Sequence, residues 1–210
     1  MNWLRPLCLI LLLLPLCLTA EDWSGYKQQD GVTVEYRRHS DGVLEIKAQL
    51  TLKSLTGAFL HLLNDTAAIS DWVANAKRVE ILASPASNTN IVHTYFNAIW
   101  PVSPRDMVTQ SIWKQNTDGV LYLRVTDLGG QYPQTDGYVR MQQVEALWTL
   151  TPLADGSLHI QYQGQADPAG QVPHFIANRV ALKAMFDTFR NLRKVLPKYQ
   201  QAYPDVIEQS

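Results

Sequence analysis

The C-terminal stretch from Val172 to about Lys198 repeats an apolar side chain with the period of an α-helix. Pro173 suits the first turn of a helix, and Pro197 should end or kink it. A continuous apolar stripe on one long helix has to be buried, so the rest of the chain must cover it. The residues of this stripe follow one another at steps of seven, three, four, three and four: Phe175, Leu182, Met185, Phe189, Leu192 and Leu196.

The residues before this helix predict a sheet with two short helices inserted early. Residues 32–36 and 44–50 alternate between apolar and polar side chains, which indicates a hairpin. Two helices are expected at 54–64 and 66–76, with Ser54 and Asp65 as caps. Six more strands follow, separated by turn residues, at 79–83, 90–99, 107–113, 120–126, 138–150 and 158–166. The order predicts an α+β fold with a curved antiparallel sheet.

The N-terminus resembles a secretory signal peptide. Arg5 precedes an almost wholly apolar run from Leu7 to Leu18, and small residues end at Ala20. The run is shorter than the roughly 20 residues that span a bilayer as a helix. An uncleaved membrane anchor and acylation at Cys17 are the alternatives. We expect residues 1–20 to be the signal peptide and residues 21–210 to be one domain, exported to the periplasm of a bacterium or secreted otherwise.

The charge and the motifs exclude several classes of function. The chain has 18 basic and 19 acidic residues, which gives no case for nucleic-acid binding. The five histidines are scattered and make no metal-ligand spacing, so we expect no metal. No nucleophile elbow and no phosphate-binding glycine loop is present, so we expect no cofactor and a protein that is not an enzyme.

Two motifs resemble those of the START (StAR-related lipid-transfer) domain family. Residues 100–108, Trp-Pro-Val-Ser-Pro-Arg-Asp-Met-Val, resemble the family's P-x-x-x-R-D-[FM]-V signature. Residues 167–173, Asp-Pro-Ala-Gly-Gln-Val-Pro, resemble the D-x-x-G-x-[IVL]-P turn before the C-terminal helix, with Asn178 in the first turns of that helix. The resemblance is to a bacterial-type, secreted, single-domain member. It implies a helix-grip (START / Bet v 1-like) fold, in which the curved sheet wraps around the long C-terminal helix.

The resemblance also implies an internal cavity that binds a lipid or another hydrophobic small molecule. Several members have a buried acid and arginine that meet the polar end of the ligand, and Thr94 and Ser111 stand at those positions here. This correspondence fixes which strand residues face inward, because alternate residues share a face. The residues expected to contact the ligand are Val92, Thr94, Phe96, Thr109, Ser111, Trp113, Phe175, Leu182, Met185, Phe186 and Phe189.

Two further groups of charged residues are candidates for a role. Arg105 and Asp106 are expected to be either a polar gate near the cavity mouth or a structural pair or turn contact that fixes the strand after Pro104. The C-terminal helix carries six basic residues against one acidic residue, Asp187. Such a helix can dock on an anionic membrane surface or can simply be soluble. The candidates for transient membrane docking are Arg190, Arg193 and Lys194.

These observations predict a non-catalytic protein that binds a lipid or another hydrophobic ligand in an internal cavity. Transfer of that ligand is an extension of the same hypothesis. We expect the protein to be a monomer. One alternative is an aromatase/cyclase-like enzyme of the helix-grip superfamily, with His93, Tyr95 and Tyr162 as acid–base candidates. The other alternative is a module that senses a lipid without transferring it. The sequence does not identify the ligand.

Overall fold

The structure is a computed structural model that describes residues 22–40 and 42–208. The predicted signal peptide and both cysteines lie outside the described residues. Within the described part of the chain, no helix is long and apolar enough to cross a membrane.

The order of elements follows the predicted order closely. The strands are β1 (Ser24–Gln29), β2 (Val32–Arg38), β3 (Leu44–Lys53), β4 (Ala76–Ala86), β5 (Thr89–Phe96), β6 (Arg105–Gln115), β7 (Leu121–Asp127), β8 (Val139–Arg140), β9 (Gln142–Pro152) and β10 (Ser157–Asp167). The α-helices are α1 (Thr56–Asn64), α2 (Ile69–Trp72) and α3 (His174–Val195), with 3-10 turns at Thr66–Ala68, Gly129–Gln131 and Leu196–Lys198.

Three local predictions need correction. β1 was not predicted because its sequence, Ser-Gly-Tyr-Lys-Gln-Gln, is polar and every residue is exposed. The strand predicted at 138–150 is two strands, β8 and β9, and β8 pairs with β6. Ser54 does not cap α1; the Glu208 carboxylate accepts hydrogen bonds from the backbone N–H groups of Thr56 and Gly57 instead.

The strands form one sheet in the order β1-β2-β3-β10-β9-β7-β6-β5-β4. The neighbours along this path are antiparallel, whereas β8 pairs with β6 in parallel. Helix α3 packs against β2 and β3, and α2 contacts both α3 and β4. The sheet therefore curves around α3 and leaves the concave side of β5 and β6 facing the helix across a space.

The apolar stripe of α3 is buried as the sequence predicted, except at its first residue. Leu182, Phe186, Phe189 and Leu192 belong to the hydrophobic core. Phe175 is 73% exposed, so its predicted inward position is wrong. Phe175 lies on the same helix face as Leu182 but about two turns nearer the N-terminus, where no described residue packs over its ring.

Candidate functional site

A cavity of about 370 Å³ lies between α3 and the concave face of the sheet. Its volume is within the range of about 300–1,000 Å³ that is usual for small-molecule sites. The cavity opens to the surface along the N-terminal half of α3, where His174 and Ala181 line it and are exposed. A ligand can therefore reach the interior beside this helix.

The cavity exists because α3 presents small side chains on one of its faces. Ala177, Ala181, Ala184 and Thr188 line the space and recur at steps of four, three and four. The large residues of the core stripe lie one position further along, about 100° around the helix. The large face packs on the sheet, and the small face leaves room beside it.

The sheet wall of the cavity is built by alternate residues of β5 and β6. Because side chains alternate across a strand, each strand contributes every second residue. The predicted inward phase of these strands agrees with the residues on the wall, which are Val92, Thr94, Phe96, Met107, Thr109 and Ser111. Contact of these residues with a ligand stays a prediction.

Four other predicted contact residues do not line the main cavity. Leu182, Phe186 and Phe189 lie in the core, because they belong to the large face of α3. Phe189 stacks on Trp148 with ring centroids 5.5 Å apart, and Trp148 lines the cavity in its place. Trp113 borders a separate pocket of about 70 Å³ and packs edge-on against Tyr203 of the C-terminal tail.

Met185 lines the cavity as predicted. Sequence reasoning missed the walls that α2 and β9 contribute, notably Trp72 and Trp148, and it named Tyr162 of β10 only as an acid–base candidate of the alternative enzyme. The even-numbered positions of β10 face inward, and this alternation was the signal that could have identified Tyr162. Burial, together with the nearby Glu45 charge, raises the pKa of Tyr162 to about 12, so its phenol stays neutral at physiological pH.

The cavity wall has almost no ionisable side chains. None of the described residues that line it is Lys, Arg, Asp or Glu. Thr94 and Ser111, which the sequence resemblance aligned with a buried acid and an arginine, both lie on this wall. A ligand here meets apolar surface, hydroxyl groups and amides, and the His174 imidazole at the opening.

Arg105 and Asp106 are not paired with each other. Adjacent residues of a strand point to opposite faces, so the interpretation of these two as one pair is wrong. Arg105 donates through Nε and Nη2 to the carbonyls of Pro168 and Ala169, each at 3.2 Å, and also donates to the carbonyl of Ser103. Pro168 lines the cavity, so Arg105 anchors the turn that leads into α3 beside the opening.

Asp106 organises a buried polar cluster on the other face of β6. It is 0% exposed, and Arg140 binds it through Nε at 3.0 Å and Nη2 at 2.8 Å. His93 Nε2 and the Thr135 hydroxyl also donate to it. Burial raises the pKa of Asp106, but the hydrogen bonds from Arg140, His93 and Thr135 outweigh it and hold that pKa below its usual value. Asp106 thereby fixes the segment that contains β8.

The acid–base candidates are divided between the two faces of the sheet. His93 and Tyr95 alternate with the inward residues of β5, and their rings stack with centroids 4.0 Å apart. The Tyr95 hydroxyl lies 2.9 Å from His93 Nδ1, and neither residue lines the cavity. Tyr162 alone of the three lines it. Within residues 22–40 and 42–208, no group of three or more His, Cys, Asp or Glu side chains is placed to hold a metal ion.

The basic residues proposed for membrane docking lie near the C-terminal end of α3. Arg190 is paired with Asp187 at 3.0 Å, and Arg193 donates to the carbonyl of Asp30. Lys194 is exposed. At 1.5 Å per residue, Arg190 lies about 24 Å along the helix from His174 at the opening.

Comparison with known proteins gives a consistent result. The START domain family model matches residues 10–202. A crystal structure of a STAR-related lipid transfer protein fragment from Xanthomonas axonopodis superposes with a TM-score of 0.76. It is 28% identical, and the match covers 83% of this chain and 98% of that fragment. The human StAR-related lipid transfer protein 5 superposes with a TM-score of 0.72 at 20% identity, over 87% of this chain and 89% of that one, and therefore shows the fold alone.

Two sequence relatives complete the comparison. An uncharacterized protein of Pseudomonas aeruginosa is 25% identical over 188 residues, which are 85% of this chain and 89% of that protein. The mitochondrial steroidogenic acute regulatory protein of Mesocricetus auratus is 25% identical over 142 residues, which are 66% of this chain. The match spans 50% of the length of that hamster protein. The predicted helix-grip fold is confirmed by the structural matches.

Proposed function

The chain belongs to the START domain family, and on that premise we propose that it binds one lipid or other hydrophobic small molecule in its internal cavity without chemical change. The observation that carries this proposal is the cavity of about 370 Å³ between α3 and the sheet, with a mostly apolar wall that includes no Lys, Arg, Asp or Glu among the described residues. Each CH₂ group that moves from water into such a space contributes about 0.8 kcal/mol. A chain of several methylenes is therefore held without many specific contacts.

We further propose that the protein transfers this ligand between membranes. The support is the name of the Xanthomonas relative, a lipid transfer protein, and the opening beside α3, through which a ligand can enter. Contact with an anionic surface would come from the basic residues near the C-terminal end of α3, where Arg193 and Lys194 are exposed and Arg190 is half-buried. Sensing of a lipid without transfer is the alternative that the experiment below separates.

Export is part of the same proposal. The support is the sequence alone: Arg5, the apolar run from Leu7 to Leu18 and the small residues up to Ala20. Fractionation of cells that produce the full chain should place the protein in the periplasm or medium, with its first 20 residues removed. Retention of those residues in a membrane fraction would contradict export as a cleaved protein.

Native mass spectrometry of the protein purified from its own source tests binding. The expected result is one small-molecule adduct per chain that is recovered unchanged after incubation. An adduct whose mass changes with time would show turnover and contradict the non-enzymatic proposal.

In a liposome-to-liposome assay, charge reversal at Arg190, Arg193 and Lys194 should slow transfer to anionic acceptors and leave binding intact. Transfer at the unaltered rate would contradict docking by this helix.

A further inference from the structure

Asn178 is a polar side chain on the cavity wall that the protein itself does not engage. It lies in the second turn of α3 and lines the cavity. Its amide nitrogen is buried and has no hydrogen-bond partner in the described part of the chain. A buried polar group without a hydrogen-bond partner is energetically unfavourable, and most buried polar groups in folded proteins do have such a partner. The amide is therefore available to a ligand.

A second donor without a partner lies deeper along the same wall. The indole Nε1 of Trp72 is buried and has no hydrogen-bond partner among the described residues, and Trp72 also lines the cavity. Both groups are N–H donors, so a ligand atom that binds either of them must be a hydrogen-bond acceptor. A ligand ammonium group, which only donates, would not satisfy either of them.

The charged residues near the cavity are engaged elsewhere. Asp106 points away from it and is bound by Arg140, and Arg105 is bound to backbone carbonyls of the turn before α3. Within the described ranges, the lining residues include no Lys, Arg, Asp or Glu, and the one imidazole among them, that of His174, lies at the exposed opening and not in the buried interior. Burial of an ion without a counter-charge is strongly unfavourable.

From these observations we propose that the cavity selects an uncharged lipid that carries an acceptor oxygen, such as a fatty alcohol or an acyl ester, and that the Asn178 amide binds this oxygen. The hydrocarbon chain then extends toward the deeper wall at Trp72 and Trp148. This inference rests on the proposed function, because it names the chemical class of ligand for the same cavity.

The test compares four probes of similar length with the purified, delipidated protein at pH 8. Methyl decanoate and 1-decanol are uncharged and carry an acceptor oxygen, decanoate is ionised, and undecane has no polar atom. The tryptophans on the wall, Trp72 and Trp148, report occupancy through their fluorescence. We expect methyl decanoate and 1-decanol to bind about tenfold or more tightly than decanoate, since an unpaired charge resists burial.

Variants then assign the selectivity to one residue. In Asn178→Leu and Asn178→Ala, the affinity for methyl decanoate should fall roughly five- to tenfold, as expected for one lost hydrogen bond. The affinity for undecane should stay the same or rise. Asn191→Leu makes the same substitution on the same helix away from the cavity and should change neither affinity. Circular dichroism and thermal melting establish that each variant is folded.

Each contrary outcome has a distinct meaning. If folded Asn178 variants keep the same ratio of ester to undecane affinity, Asn178 does not bind the oxygen. If decanoate binds as tightly as its methyl ester, the selection for uncharged ligands is refuted. In both cases a hydrophobic cavity that binds ligand still stands. If none of the four probes binds, the proposed function fails together with this inference.

Discussion

Replacement of Ala184 by Phe should block ligand binding without unfolding the protein. Ala184 lies on the small face of α3 and lines the cavity, so the new ring would enter the space that the ligand is proposed to occupy. The backbone at this position is regular helix, which accommodates Phe without strain. The substitution therefore tests the volume of the cavity and little else.

The size of the effect follows from the volume. A benzene-sized group occupies a cavity on the order of 150 Å³, which is roughly 40% of the 370 Å³ in the structure. If a ten-carbon chain fills the cavity, the ring displaces about four CH₂ groups, each contributing about 0.8 kcal/mol. The loss is about 3 kcal/mol, or an affinity on the order of 200-fold lower. Because the ring fills existing space, thermal stability should be unchanged or slightly higher.

Titration of methyl decanoate into the wild type and the variant, followed by tryptophan fluorescence, measures this loss. Arg179→Phe is the matched control, because Arg179 is exposed on the same helix and does not line the cavity. The control should bind the ester like the wild type. A folded Ala184→Phe variant whose affinity stays within about threefold of the wild type would refute the assignment of the ligand to this cavity.

The remaining predictions concern the groups that hold the walls in place. Asp106→Asn should lower the free energy of unfolding by about 3–5 kcal/mol, because it leaves the buried Arg140 without its counter-charge. Urea denaturation measures this change, and a value below about 1 kcal/mol would contradict the prediction. Since the pKa of Asp106 is held below its usual value, its contribution is complete above about pH 3.9. This contribution should be lost as the pH falls below that value, and Asp106→Asn should remove that part of the acid dependence. Gly164→Ala would place a Cβ atom 2.6 Å from the Glu145 carbonyl oxygen and 2.7 Å from the Tyr162 hydroxyl, so its melting temperature should fall by several degrees; an unaltered melting temperature would show that the strands yield easily.

The sequence predicted the architecture well because periodicity carries that information. The stripe of α3 shows which side of the helix is buried. In β5 and β6 the resemblance to the START family set the inward phase and strand alternation extended it, and Thr94 and Ser111 lie on the cavity wall accordingly. The two sequence motifs predicted the helix-grip fold, and the structure brings them together, because Arg105 of the first motif donates hydrogen bonds to the turn at residues 167–173. Local patterns of this kind need no knowledge of distant contacts.

The division of α3 into a packing face and a cavity face could not be predicted in the same way. The sequence shows that Leu182, Phe186 and Phe189 are buried, but burial in a core and exposure to a ligand leave the same apolar pattern. The alanines that line the cavity carry little hydrophobic signal, although their small size creates the space. Which face meets the sheet depends on the packing of α3 against β2 and β3, which is a tertiary contact.

The hydrogen-bond partners of Asp106 could not be predicted from the sequence for a related reason. Arg140 lies 34 residues further along the chain, and its guanidinium meets Asp106 only because β8 pairs with β6. The sequence suggested Arg105, the neighbour, as the partner. Strand geometry forbids that contact, because the two side chains leave the strand on opposite faces.

A crystal structure of the complex with methyl 10-bromodecanoate would show whether the ligand binds inside the cavity, because the anomalous signal of bromine locates it without ambiguity. We expect one bromine site per chain, inside the cavity bounded by Thr94, Trp148 and Ala184. A bromine site on the surface, for instance in the open pocket lined by Lys53 and Glu208, with the internal cavity unchanged, would contradict it.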